Sequence, residues 1–302
     1  MKNESSFIKK YAVSKWLYLK SFFVSDEKYI KAKFLNTFGY ELDLKDPKTL
    51  NEKMQWLKLN YHPKMFEVFA DKYEVREYVR NVIGDEYLIP VNMTLDSPEK
   101  LSTDILPDTP FIIKTNHDCS GGIIVRDKRE VDIDYAKRWC KFNLSNNHFY
   151  ASRERHYKNL SRRIIIEKLL LTKENKIPND YKINCINGEP QFIYCAIDRE
   201  GENYRKIYDV NWSELDFKWG SRDVINNKFN GKNIPVPNNL DEMLKISRQL
   251  SRGYKYLRVD LYDVDGKLYV GELTMYHGAG FDIIEPKEID EYYGSMINVN
   301  KE

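Results

Sequence analysis

A chain of 302 residues is long enough to bury a core and to divide into more than one domain. Its 48 basic and 46 acidic side chains leave a net charge of +2, which excludes the large basic excess of a dedicated nucleic-acid binder. A hydrophobic content of 42% and an aromatic content of 14% exclude a disordered polar chain.

Cys119, Cys140, Cys185 and Cys195 show neither CxxC nor zinc spacing, so reduced thiols in a cytoplasmic protein are expected. No uncharged run is long enough for a membrane span, and the first twenty residues lack the apolar core of a secretory signal.

Residues 1–62 read as helical. Trp16, Leu17, Leu19, Phe22, Phe23, Tyr29, Ile30 and Phe34 alternate with many lysines. That pattern suits a helical layer packed on the main body, the preferred reading, or a helix lying on a membrane surface. Thr49 and Glu52 form a capping-box pattern, followed at helical spacing by Leu50, Met54, Leu57 and Tyr61. A helix over 71–84 is expected from Val75, Tyr78, Val79 and Val82, with Gly84 as its C-cap. Short strands follow at 111–114 and 123–125, enclosing a small, polar, Gly-ended loop, Thr115 to Gly122. A helix over 132–144 with Tyr135, Trp139 and Phe142 on one side precedes an apolar strand, Ile164-Ile165-Ile166-Glu167. A hairpin at 181–185 and 191–197 turns at Asn187 to Pro190, a helix runs from about 240 to 254, and a last hairpin pairs 256–262 with 268–273 around Asp265-Gly266. Helices and strands mix without a βαβ rhythm, which makes the fold class α+β.

The last hairpin carries the most chemistry. Alternation places Arg258, Asp260 and Tyr262 on one face, and a ribbon centred on Gly266 sets Asp260 opposite Glu272. Facing side chains on paired strands have Cβ atoms about 4.5–5.5 Å apart, close enough for two carboxylates to repel unless a cation neutralises them. Mg²⁺ takes one or two carboxylates together with phosphate oxygens, and the Arg258 fork suits a phosphate. Lys114, at the end of a buried strand before the Cys119-Ser120-Gly121-Gly122 loop, suits phosphate as well, although no Walker sequence is present. Glu167 ends an apolar strand, where it could accept from an adenine amino group or stand as an exposed strand end. His117 and His277 lie near the loop and the acidic hairpin and are candidates for moving a proton. Cys119 has no paired His and reads as a small loop residue.

Taken in order, Asp71-Lys72, strand-borne Lys114, the Gly loop, Glu167, Arg258-x-Asp260 and Glu272 resemble the ATP-grasp superfamily, and the final hairpin is similar to the RxDxxxDxDGxxYxxExN signature of its peptide-forming ligases. Thr274 departs from that signature by standing where Asn is usual. Thr49 to Trp56, Asp71 to Arg76, Lys114 to His117 and Gly271 to Tyr276 resemble the TupA-like branch found in bacterial surface-polysaccharide loci.

The resemblance implies an ATP-grasp fold, two α+β subdomains gripping ATP, with a helical N-terminal extension. The expected division is a helical region at 1–65, an N-terminal subdomain at 66–162 and a C-terminal subdomain at 163–302. It further implies that Lys72 and Lys114 contact phosphates under the Cys119–Gly122 loop, and that Glu167 with the Lys168-Leu169 backbone holds adenine. Asp260, Glu272 and Thr274 would bind one or two Mg²⁺ ions, Arg258 would steady the transferred phosphoryl group, and Lys182 would line the same cleft. Arg258, Lys114 and His117 are the catalytic candidates.

The implied reaction is ATP-dependent ligation of a glycan or sugar carboxylate to an amino acid or other amine through an acyl phosphate. The expected setting is cytoplasmic, at the inner face of the membrane if the N-terminal helices touch it. The alternative is a glycosyltransferase using Asp263-x-Asp265, and a third reading is a non-catalytic glycan or nucleotide binder.

Overall fold

The computed structural model describes residues 2–117 and 121–299. Along the chain run α1 (Lys2–Lys20), α2 (Asp26–Phe38), α3 (Leu50–Asn60), α4 (Met65–Ala70), α5 (Val75–Ile83), β1 (Val91–Leu95), β2 (Phe111–Thr115), β3 (Ile123–Val125), α6 (Ile133–Ser145), α7 (Phe149–Ser152) and β4 (Ile164–Lys168). There follow β5 (Asp180–Ile186), β6 (Glu189–Ile197), β7 (Tyr204–Asp209), β8 (Lys218–Gly220), α8 (Arg222–Asn227), α9 (Leu240–Ser251), β9 (Tyr256–Val264), β10 (Lys267–Thr274), β11 (Ile283–Glu285) and α10 (Lys287–Ser295).

The described residues form two compact units. The first gathers 1–29, 63–75 and 89–169, and the second gathers 30–62, 76–88 and 170 onward. This corrects the expectation of three consecutive segments. The 1–65 helices are divided between the units, and β4 lies in the first unit because it pairs antiparallel with both β1 and β2.

In the first unit an antiparallel sheet runs in the order β1-β4-β2-β3. Its period of two sorts the side chains. Phe111 and Ile113 of β2 join Ile164 and Ile166 of β4 in a buried cluster with Ala136 and Cys140 of α6. The buried stripe of α6 is therefore Ala136, Cys140 and Asn143; Tyr135, Trp139 and Phe142, expected to face one side, are only half-buried. The opposite sheet face carries Lys114 and Glu167. The start of α2 is anchored here: the Tyr29 hydroxyl donates to the Ala151 carbonyl at 3.1 Å, and the buried Arg153 guanidinium lies over the Tyr29 ring at 4.3 Å. Tyr11, Trp16 and Tyr18 of α1 remain exposed, against the preferred reading of a packed layer, whereas Ile30 and Phe34 of α2 are fully buried, in keeping with it.

In the second unit a five-stranded antiparallel sheet runs in the order β10-β9-β5-β6-β7. Helix α9 covers the face carrying Ile183, Cys185, Leu257 and Val259, and its buried apolar residues are Met243, Ile246 and Leu250. The other face carries the polar residues of β5 and β9. Helix α3 starts with the expected capping box: the Thr49 hydroxyl accepts from the Glu52 N–H at 3.1 Å, and Glu52 accepts from the Thr49 N–H at 3.0 Å. The β5–β6 hairpin turns through Asn187-Gly188, both at positive φ, and β8 pairs with β11 in a separate ribbon.

Candidate functional site

The β9–β10 ribbon turns through Asp265 and Gly266, at φ 53° and 93°, with Lys267 paired to Val264. Both central residues lie at positive φ, as in a type I′ hairpin turn. The ribbon is thus centred between those two residues rather than on Gly266, and an unbroken ladder would put Gly271 opposite Asp260. A bulge between Val270 and Glu272 shifts the register and sets Glu272 opposite Asp260. The expected pairing is present, but it depends on Gly271. A Cβ there would stand 2.7 Å from the Tyr262 ring, so the bulge has room only for glycine.

Register then assembles a charged cluster on the sheet face away from α9. Asp260 lies opposite Lys182, and Arg258 lies opposite both Asn184 and Thr274. Arg258 grips Asp260 with two parallel bonds, Nε to Oδ1 at 2.6 Å and Nη2 to Oδ2 at 2.8 Å. Its Nη2 also donates to the Thr274 hydroxyl at 3.0 Å. Lys182 Nζ donates to Oδ2 of Asp260 and to Oδ2 of Asp180, each at 2.6 Å.

Burial disfavours every charge in this cluster, and the charges hold one another in place. Burial pushes Asp260 up, but Arg258 and Lys182 bring it below the usual carboxylate range. Burial pulls Lys182 down, but Asp180 and Asp260 more than reverse it. The same contest raises Arg258. Arg258, Asp260 and Lys182 are therefore ionised at neutral pH.

Arg258 Nη1 lies 3.1 Å from Nδ1 of His277, and His277 Nε2 lies 3.1 Å from Oδ2 of Asp282. Guanidinium only donates, so Nδ1 is the acceptor and Nε2 carries the proton toward Asp282. Burial, with Arg258 adding to it, holds the imidazole pKa below its ordinary value and so keeps the ring neutral. The ring stacks on Trp219 at 3.8 Å. Trp219 is fully buried, so it supports His277 rather than lining an open pocket.

The donor set fits a hard divalent cation. The Glu272 side chain is half-buried and makes no hydrogen bond or ion pair among the described residues. Asp260 Oδ1 accepts a single bond, which leaves it one lone-pair site. No group of three or more His, Cys, Asp or Glu among the described residues could hold a metal unaided, so an ion here would need phosphate or water oxygens as well. The Thr274 hydroxyl already accepts from Arg258.

The first unit holds the other expected residues. Lys114 Nζ and Glu167 Oε1 form an ion pair at 2.6 Å on the sheet face away from α6. The roles expected for them separately thus meet in one contact, which a nucleotide would have to open or straddle. The Lys168 and Leu169 N–H groups donate to Pro90 and Pro110, so this stretch offers a base no main-chain donor. Asn116, fully buried, is a hub missed in the sequence. Its Nδ2 donates to Asp71 at 2.6 Å and to the Ser161 carbonyl at 2.8 Å, and its carbonyl accepts from the Lys72 N–H, setting Lys72 beside the end of β2. His117 is buried, with ring nitrogens 3.3 Å from Asn116 Oδ1 and 3.2 Å from the Asn146 carbonyl, an environment that suits a positioning role. Gly121 and Gly122 lead into β3, whereas Cys119 and Ser120 lie outside the described residues.

Asp263 and Asp265 are taken up by the turn. Asp263 accepts from Gly266 N–H at 2.8 Å and Asn239 Nδ2 at 3.2 Å, and Asp265 accepts from Lys173 N–H at 2.8 Å. A local Asx-type bond for Asp263 and a long-range main-chain bond for Asp265 explain the two aspartates without a metal. Asp180 and Asp282 were also missed. Strand alternation from Lys182 would have found Asp180, whereas Asp282 and Trp219 reach the cluster by tertiary folding alone.

The chain belongs to the TupA-like ATPgrasp family, whose model matches residues 52–298. The α+β ATP-grasp fold expected from the motifs is therefore its fold. Among solved structures it is similar to D-alanine–D-alanine ligase from Bacillus anthracis, at 18% identity and TM-score 0.43, covering 77% of this chain and 66% of that one. It is also similar to the Helicobacter pylori enzyme of the same name, at 12% identity and TM-score 0.45, covering 82% and 69%. A third is the ATP-grasp ligase PsnB complexed with minimal precursor, at 12% identity and TM-score 0.41, covering 81% and 65%. The chain thus spans less than two thirds of PsnB and about that share of the first ligase. No curated protein matches it.

Proposed function

We propose that the chain is an ATP-dependent carboxylate–amine ligase. In the finer assignment it joins an amino acid to a uronic-acid carboxylate of a bacterial surface glycan or its precursor, in the cytoplasm. The observation that carries the reaction class is the convergence of Arg258 and Lys182 on Asp260, with Glu272 directly opposite. The glycan assignment rests on the Thr49–Trp56 and Gly271–Tyr276 resemblance to the TupA-like branch.

The chemistry needs charge handling more than a nucleophile. A free carboxylate does not yield an amide because its oxygen is a poor leaving group. When a carboxylate oxygen attacks the γ-phosphorus of ATP, the terminal P–O bond breaks and ADP leaves. The amine then attacks the acyl carbon, phosphate departs with the C–O electron pair, and the new amide nitrogen gives up a proton. Positioning and electrostatic neutralisation supply most of the catalysis in such transfers.

Asp260 and Glu272 would hold Mg²⁺, whose chemistry is to neutralise phosphate charge and polarise the phosphorus–oxygen bonds. Arg258 is fixed by Asp260, Thr274 and His277, which take four of its five N–H donors, and it would offer the transferred group its charge and the one remaining Nη1–H. Lys182 uses two of its three donors within the cluster and keeps one for a substrate oxygen. Lys72, Lys114 and Glu167 are the proposed nucleotide contacts of the first unit, with Cys119–Gly122 as the phosphate loop.

The test is release of ADP and phosphate by purified protein with Mg²⁺, ATP and a panel of uronates and amino acids. Asp260→Asn should lower the rate by about 100-fold or more, whereas the Asp263→Asn/Asp265→Asn pair should keep it within about threefold. The opposite pattern would support the glycosyltransferase. No stimulation above background hydrolysis across the panel would overturn the ligase reading.

A further inference from the structure

Seven of the large apolar side chains exposed among the described residues fall between Tyr11 and Phe23. Phe23 is 88% exposed, Phe22 65%, Leu19 57% and Trp16 56%. The helix is not simply detached. Lys10, Ser14 and Leu17 on its inner side line a cleft of about 330 Å³ with Asn143, Asn146 and Ala151, and the Tyr18 ring meets Tyr150 edge-on at 5.0 Å. The turns after α1 continue its direction, with the Phe23 N–H donating to the Lys20 carbonyl at 3.1 Å.

Helical spacing then fixes the outer side. Ala12, Trp16, Leu19 and Phe23 follow one another at i, i+4, i+7 and i+11 and form a single apolar stripe. Lys9 and Lys20 border it on one edge, and Lys15 on the other. The lysines lean over the rings: Lys20 Nζ lies 4.7 Å from the Trp16 centroid and Lys15 Nζ 5.2 Å from that of Tyr11. Between Ser5 and Ser25 there are four lysines and no acid, in a chain otherwise almost balanced in charge.

We propose that this outer face of α1 and the turn after it is a docking surface for an anionic lipid bilayer. Apolar rings flanked by lysines match the interface physics, since the rings enter the acyl boundary while the ammonium groups stay at the level of the phosphates. The lysine borders then meet charge of opposite sign, which adds attraction that salt screens. A second copy of the chain is the weaker occupant, because self-pairing would bring lysine borders of like sign together. The inference is independent of the ligase reading, and its test needs no nucleotide.

The experiment is co-sedimentation of the full chain with vesicles of phosphatidylcholine alone or of phosphatidylcholine and phosphatidylglycerol, together with light scattering for oligomeric state. Binding is expected to the phosphatidylglycerol vesicles, weakly or not at all to pure phosphatidylcholine, and to fall with added salt. Phe22→Ser/Phe23→Ser should lower partitioning by about tenfold or more, since both rings leave the interface. Lys15→Gln/Lys20→Gln should remove the preference for phosphatidylglycerol. Failure to bind anionic vesicles would overturn the proposal, as would binding that the Phe pair leaves unchanged. A dimer that the Phe pair dissociates, without vesicle binding, would assign the face to a second copy instead.

Discussion

Burial pushes the Asp290 carboxyl up to about 6, although the Asn51 main-chain and side-chain N–H groups donate to it at 3.0 and 3.1 Å. The unfolded value is near 3.9, so between about pH 4 and pH 6 the folded state holds more protons and stability falls as pH rises through that window. The loss from this one group is about 3 kcal/mol at most and is complete above pH 6. Asparagine keeps an acceptor for the Asn51 N–H and brings a donor for Asn51 Oδ1, which has no hydrogen-bond partner among the described residues. Asp290→Asn should therefore stabilise the protein by about 1–3 kcal/mol at pH 7.5 and by little at pH 4. Urea unfolding at the two pH values decides it, and equal effects at both would refute the argument. Gly271 offers a second residue-scale prediction. An added methyl must displace the Tyr262 ring or flatten the bulge, so Gly271→Ala should cost about 1–3 kcal/mol by the same measurement. If the bulge flattens, Glu272 leaves its place opposite Asp260 and Mg²⁺-dependent turnover should fall further than stability does.

Helix α3 explains at the scale of an element why the Thr49–Trp56 motif belongs with the hairpin. After β10 the chain takes three consecutive left-handed residues, Gly278, Ala279 and Gly280, at φ 53°, 55° and 69°. Such a run is unfavourable for Ala279 by about 1–2 kcal/mol, so something must hold it. Gln55 Nε2 donates to the Gly280 and Ala279 carbonyls at 2.5 and 3.2 Å, and the buried Lys58 Nζ donates to Ala279 at 2.9 Å while lying over the Phe281 ring. His277 starts this loop and Asp282 follows it, so α3 sets the ring that receives Arg258 Nη1. Gln55 and Lys58 are positioning residues on this argument. Gln55→Leu strips a donor from two carbonyls and should lower kcat by about tenfold while leaving the KM for ATP within about twofold, because only the phosphoryl-steadying arginine is disturbed. Steady-state kinetics checks it, and an equal change in both constants would point to general loosening of the unit instead.

For the molecule as a whole, the legible parts were those written in short-range pattern. The capping box of α3, the apolar strand at Ile164–Glu167 and the Asp265-Gly266 hairpin each follow from a few neighbouring residues and are present. What tertiary folding decides was not legible. Strand β1 carries a half-buried alternation with no apolar run to announce it, and the short β8 and β11 exist by pairing with each other. The division into units was hidden because the chain passes between them repeatedly, and the Lys114–Glu167 pair needed the β2–β4 register. The candidate residues nevertheless separate cleanly by unit: Lys72, Lys114 and Glu167 in the first, Lys182, Arg258, Asp260, Glu272 and Thr274 in the second. That separation gives a prediction in which nucleotide and metal are varied independently. A ligand at about 100 times its Kd stabilises the folded state by about 2.7 kcal/mol, enough for a clear rise in Tm. ATP with Mg²⁺ should raise Tm in the parent protein. Lys114→Met should lose the rise with or without Mg²⁺, because it removes the proposed nucleotide contact and leaves Glu167 buried without its partner. Asp260→Asn should keep the part given by ATP alone and lose the increment that Mg²⁺ adds, since only the metal-holding carboxylate is neutralised. Each variant is compared with its own unliganded Tm, so a change in intrinsic stability does not enter. Retention of the Mg²⁺ increment in Asp260→Asn would remove the acidic hairpin from the metal site while leaving the nucleotide assignment of the first unit intact.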